Sequence, residues 1–123
     1  MTVRDAITRL DSLMHNTYKN NEKVSWLSRA DWMIKMHIID RHEGGENVVF
    51  FGYTENDLDK ELLAPAPHDE MYIRFLEAQV HYNNGEYDKY NNAIMMYNAV
   101  YEDFSAMYTR THLPISAGPR FVF

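Results

Sequence analysis

Six histidines are the side chains of this sequence best suited to hold a metal or move a proton near neutral pH: His15, His37, His42, His68, His81 and His112. Their spacing argues against a shared site. A helical zinc site places two histidines at i and i+4, as in H-E-x-x-H. His37 and His42 are five residues apart, about 140° around a helix, so they fall on different faces. Glu77 and His81 stand at i and i+4 and could touch. A di-iron bundle needs Glu-x-x-His on two helices, and the sequence contains no such motif. There is no cysteine, which removes disulfides, thiolate zinc sites and thiol nucleophiles. The carboxylate pairs Asp57/Asp59 and Asp69/Glu70 stand at turns or helix starts, where capping accounts for them. Asp40, Glu43 and Glu46 read as a solvated cluster. Ser25, Ser28, Ser105 and Ser116 have no histidine at a suggestive spacing, and G-x-S-x-G is absent. Gly44-Gly45 lacks the Lys-Ser/Thr of a phosphate loop. No catalytic, metal-binding or cofactor-binding residue is assigned, and the chain is not expected to be an enzyme. A hidden enzyme or small-ligand binder would require a closed polar pocket around residues such as His37, His81 or Tyr97.

The elements that would position any site are mainly helical. Residues 67–112 read as two helices joined by one tight turn. The first follows Pro67-His68-Asp69-Glu70, with Asp69 as its cap and Glu70 at the positive end of the helix dipole. Met71, Tyr72, Phe75, Leu76, Ala78 and Tyr82 recur at close to 3.6 residues. Asn83-Asn84-Gly85 stops it. The second helix starts at Glu86 or Tyr87. It carries Tyr90, Ala93, Ile94, Tyr97, Val100 or Tyr101, Phe104 and Met107/Tyr108 as one stripe, and ends before Pro114. So short a turn makes the two helices antiparallel neighbours.

Upstream, 2–14 reads as a short helix with Val3, Ala6, Ile7, Leu10, Leu13 and Met14 inside and a Thr2/Asp5 capping signal. A long helix over 22–42, capped by Asn20 or Asn21, lines Val24, Leu27, Ala30, Ile34 and Ile38 on one side and ends at Gly44-Gly45. Residues 46–66 differ in kind. Asn47-Val48-Val49-Phe50-Phe51-Gly52-Tyr53 is β-branched and aromatic, Thr54-Glu55-Asn56-Asp57 is a turn signal, and 58–63 offers a return strand. The segment reads as a small β-hairpin or an extended arm inserted between helix pairs. After Pro114 the tail ends in Arg120-Phe121-Val122-Phe123, which either folds back over its own core or extends to a neighbour. The organisation expected is one helical domain over 1–112, with the insertion at about 46–66 and an arm over 113–123.

The sequence has 123 residues, 46% hydrophobic and 24% charged, enough for one domain with a real core. No apolar run approaches the ~20 residues of a membrane span. A formal net charge of −6 with scattered basic residues speaks against a nucleic-acid reader, which shows a basic face. Nine Tyr, six Phe, two Trp and eight Met read first as a small domain filling its core with large side chains; the compatible alternative places several of them at subunit contacts, where Tyr, Trp and Met are enriched. The positions expected to bind partners are Val49, Phe50, Phe51, Tyr53, Ile115, Arg120, Phe121, Val122 and Phe123.

The opening Met1-Thr2-Val3-Arg4-Asp5-Ala6-Ile7, the run Asn16-Thr17-Tyr18 followed by Lys23-Val24-Ser25-Trp26-Leu27-Ser28, the run Asp69-Glu70-Met71-Tyr72 and the run Gly85-Glu86-Tyr87-Asp88-Lys89-Tyr90-Asn91-Asn92, in this order of elements, resemble the head–tail connector proteins (adaptors, or head-completion proteins) of long-tailed phages and prophages. The resemblance covers nearly the whole chain. It implies a homo-oligomeric ring, typically twelve-fold, beneath a portal protein and above a tail-completion or tail-terminator protein. DNA would pass through without sequence-specific binding, without a cofactor and away from any membrane. The place implied is the head–tail junction of the virion, after synthesis in the bacterial host cytoplasm. The competing expectation is a small helical regulatory or inhibitor module with no virion role.

Overall fold

The computed structural model of the chain describes residues 1–115. The fold is mainly helical: α1 (Val3–Leu13), α2 (Asn20–His37), α3 (Glu70–Asn83) and α4 (Tyr87–Thr111), with short 3-10 turns at Ile39–Arg41, Gly45–Asn47 and Glu55–Asp57. Among the described residues there is no strand, only two isolated bridges, Thr2 with Glu61 and His42 with Pro114.

α3 is the central element. Met71, Tyr72, Ile73, Phe75, Leu76, Ala78 and Val80 are all buried, more than one face of a helix, because α1, α2 and α4 all pack on it. α4 lies along it as the second arm of the helical hairpin and buries Ala93, Tyr97 and Phe104. Gly85, at φ 76°, makes the turn between them. Glu86 ties that turn: His81, then Lys89 and Asn84, bond its carboxylate and push its pKa down to about 2.

α1 starts as its sequence indicates. The Asp5 N–H donates to Thr2 Oγ1 at 3.1 Å and the Thr2 N–H to Asp5 Oδ2 at 3.0 Å, a full capping box. α2 departs from expectation at both ends. It begins at Asn20 after Lys19, with no side-chain cap, and gives way at Ile38 to the Ile39–Arg41 3-10 turn. Asp69 likewise makes no side-chain cap to α3; its carboxylate lies 3.8 Å from the Met1 amino group.

The hairpin expected over 46–66 does not form, and the hydrogen bonds say why. A helix leaves its first N–H groups without internal partners. The N–H groups of Val3 and Arg4 donate to the carbonyls of Lys60 and Leu58 at 3.0 and 2.8 Å, and the Leu62 N–H donates to the Met1 carbonyl at 2.9 Å. The supposed return strand therefore serves the start of α1 instead of pairing with 48–53.

Gly45 is required by space. A Cβ there would stand 2.4 Å from the Ile39 carbonyl oxygen, and backbone at that distance must shift. Gly45→Ala is expected to cost about 1–3 kcal/mol, read as a lower denaturant midpoint at unchanged m-value.

Candidate assembly surface

Val49 and Phe51 are 72% and 87% exposed, whereas Phe50 and Tyr53 are buried. Residues 49–51 alternate out, in, out as in a strand, but the period breaks at Gly52, which turns Tyr53 inward as well, and the element that holds the run is α2. The Phe50 ring meets Trp32 edge-on at 4.8 Å and Tyr53 at 5.0 Å. The Tyr53 N–H donates to Ser28 Oγ at 3.0 Å. Gly52, at φ 86°, lies so close that a Cβ would stand 3.0 Å from Ser28 Oγ and 3.3 Å from the Trp32 ring nitrogen. Of the residues expected to meet partners, Phe50 and Tyr53 thus belong to the chain's own core, while Val49 and Phe51 project from a fixed base.

The base is pinned from below by Asp31, which is 0% exposed. The Tyr53 O–H donates to Asp31 Oδ2 at 2.5 Å, the Tyr72 O–H donates to Asp31 Oδ1, and the Leu63 N–H donates to Oδ2 at 3.0 Å. Tyr72 in turn accepts the Ala64 N–H at 2.8 Å. One carboxylate therefore joins α2, α3 and the 53–64 segment. Burial lifts its pKa above the ordinary carboxylate range, against the pull of the three donors, and among the described residues no cation stands beside it to favour the charge. Burial and the Asp31 charge both push the Tyr53 and Tyr72 phenols upward, so they stay protonated and act as donors.

Of the histidines only two come together among the described residues: the His42 and His112 rings lie edge-on with centres 6.5 Å apart, both against Tyr108. His42 is buried, with Nδ1 2.6 Å from the Ile38 carbonyl and Nε2 3.3 Å from Thr109 Oγ1. A carbonyl only accepts, so Nδ1 carries the proton. His81 contacts Glu86 at 3.0 Å, while Glu77, at i−4 from it, pairs with Arg74 at 3.1 Å. His112 stacks on Tyr108 at 3.8 Å. Among the described residues no group of three or more metal-ligating side chains gathers, and no helix is long and apolar enough to cross a membrane.

At the foot of the fold, the Ile115 N–H donates to the Arg41 carbonyl at 2.9 Å and the Glu43 N–H to the Leu113 carbonyl at 2.7 Å. The Ile115 side chain is more than half exposed. Arg120, Phe121, Val122 and Phe123 lie outside the described residues.

A second apolar feature was not legible in advance. A groove of about 480 Å³ runs between α2 and α4 over α3, lined by Met33, Phe75, Tyr82, Tyr90, Ile94 and Tyr97, with Arg29 and Gln79 at its edge. The Arg29 guanidinium donates to Gln79 Oε1 at 2.8 Å and lies 5.9 Å from the Phe75 ring centre.

No family model, no curated protein and no solved structure matches this chain.

Proposed function

We propose that this chain is a structural virion protein: a ring-forming connector at the junction of a phage head and tail. In that reading it meets a portal protein on one side and a tail-completion or tail-terminator protein on the other, and DNA passes through its channel. The observation that carries it is the pair Val49 and Phe51, held out to solvent on a base fixed by Phe50, Tyr53 and Asp31. An exposed aromatic anchor such as Phe51, on a base that needs no ordering on contact, is what a protein–protein interface uses. Acidity of −6 fits a channel that must not hold the phosphate backbone. The resemblance of the chain's runs to connector proteins supplies the phage setting.

The test is affinity recovery of the tagged chain from cells making whole particles, with partners identified by mass spectrometry. The expected result is a portal or tail-completion protein. Phe51→Asp is expected to reduce that recovery tenfold or more, as loss of an interface anchor does, while the melting temperature stays within ~2 °C because the side chain is exposed. Recovery of only a non-structural host protein would replace the connector with the regulatory module. Absence of the chain from purified particles would overturn the virion role.

A further inference from the structure

The Phe51 loop and the α2–α3–α4 groove lie on different faces of one helix. The loop rests on Ser28 and Trp32; the groove is lined by Arg29 and Met33. Consecutive residues of a helix are about 100° apart, so the fixed base that presents Phe51 keeps it out of the groove of its own chain. The two faces are chemically matched. The groove offers aromatic rings, a methionine and an isoleucine, and its lining contains one cation and no carboxylate. Arg29 has a neutral partner, Gln79, and is in no ion pair among the described residues. The segment that carries the knob is acidic: Glu43, Glu46, Glu55, Asp57, Asp59 and Glu61 against Lys60. Asp57, Asp59 and Glu61 are paired, with Lys60, Arg4 and the Met1 amino group. Glu46 and Glu55, on either side of Phe51, are exposed and in no ion pair among the described residues.

We propose that the groove between α2, α3 and α4 is the receptor for Phe51 of a second copy of this chain, with the acidic flanks of that loop facing Arg29. This rests on the connector reading and names the partner of its exposed surface. The contact joins two different faces, so it is heterologous, and heterologous contacts repeat into a ring when the rotation closes. Val49, Phe51 and their surroundings cover on the order of 400 Å² of one copy, about half of what one partner gives to a standard stable interface. A single contact between two free copies is therefore weak, and a closed ring, in which every copy makes two, holds it.

The absence of cysteine makes the test clean. Chains carrying Val49→Cys, which keeps the Phe51 ring, and Ile94→Cys are purified separately, mixed at high concentration and oxidised briefly with copper–phenanthroline. The mixed disulfide is expected at least tenfold above either homodimer, and above the product of Val49→Cys with a remote Ser12→Cys chain. Adding Arg29→Glu to the Ile94→Cys chain is expected to cut the yield several-fold. A dominant Val49–Val49 homodimer would make the contact isologous and overturn the proposal, as would a mixed yield no higher than that with Ser12→Cys. If crosslinking fails while Phe51→Asp still removes the chain from particles, the groove assignment falls and the connector reading stands. If crosslinking succeeds and particles lack the chain, the self-association stands and the virion role falls.

Discussion

Asp31→Ala is expected to lower the stability of this chain by about 3–4 kcal/mol. Three donors lose their acceptor: the Tyr53 and Tyr72 hydroxyls and the Leu63 N–H. Each buried donor left without a partner costs about 1–3 kcal/mol. Two effects hold the total towards the lower end of that range. The Tyr53 O–H has the Glu61 carbonyl 3.4 Å away as a second acceptor, and the variant no longer buries a carboxylate. Domains of this size have about 5–15 kcal/mol in all, so the loss is a large share and corresponds to roughly 10–20 °C in melting temperature. Urea denaturation followed by far-UV circular dichroism measures it. A loss under 1 kcal/mol would mean that the 53–64 segment is not held through Asp31. Because that segment includes the base of the Phe51 loop, the same variant is expected to weaken partner recovery even where it stays folded.

Asp31 also has a predictable pH signature. Its folded pKa is raised, chiefly by burial, so the folded chain binds that proton more tightly than the unfolded one. Its contribution is fully present below the ordinary carboxylate pKa and is lost as the pH rises through the raised folded value. Asp5, Asp57 and Glu86 run the other way. Hydrogen bonds depress their pKa values, so their contributions are present above the ordinary value and fade as the pH falls. Asp31→Asn keeps the shape but aims an amide N–H towards a phenol oxygen that already accepts from Ala64. The stability difference between the native chain and Asp31→Asn is expected to widen as the pH is lowered from 7 towards 4. A difference that narrows would show that the three donors outweigh burial and that the carboxyl is depressed.

The helices were legible because each buries a periodic stripe. α4 keeps Ala93, Tyr97 and Phe104 inside, and α1 keeps Val3, Ala6, Ile7 and Leu10. α3 was only half legible. Periodicity marks one face, and the buried Ile73 and Val80 lie outside that face because three helices surround it. Asp31 left a signal that could be read: Val24, Leu27, Ile34 and Ile38 are buried at the spacing of an inward stripe, and Asp31 occupies the stripe position between Leu27 and Ile34. A carboxylate at such a place is costly unless it is bonded. The 47–53 run read as a strand because it is β-branched and aromatic. What period cannot show is the partner of its backbone, and here the 58–62 segment is engaged by the free N–H groups of α1. Phe50 and Tyr53 were grouped with Val49 and Phe51 for the same reason: composition marks an aromatic run but not which members face inward.

Tyr97 separates the value of a ring from the cost of its hydroxyl. The ring is 6% exposed and packs between Phe75 at 5.2 Å and Tyr101 at 5.7 Å, where it holds α4 against α3. Its oxygen is buried without a hydrogen-bond partner among the described residues. Burial, with the charges of Tyr101 and Asp31, lifts its pKa, so the group stays a neutral donor with nothing to donate to. Tyr97→Ala removes the packing and leaves a cavity, and is expected to cost about 3–5 kcal/mol. Tyr97→Phe keeps the packing and deletes the unsatisfied O–H. It is expected to be neutral or to gain up to about 1 kcal/mol, the lower end of the cost of an orphaned buried donor. Urea midpoints of the three chains decide. A loss above 1 kcal/mol in Tyr97→Phe would reveal a partner for the hydroxyl, and a near-neutral Tyr97→Ala would place the ring at the surface. Tyr97 also lines the groove proposed to receive Phe51. The phenylalanine variant is therefore expected to keep the crosslink between positions 49 and 94, because the contact is made by the ring and not by the oxygen.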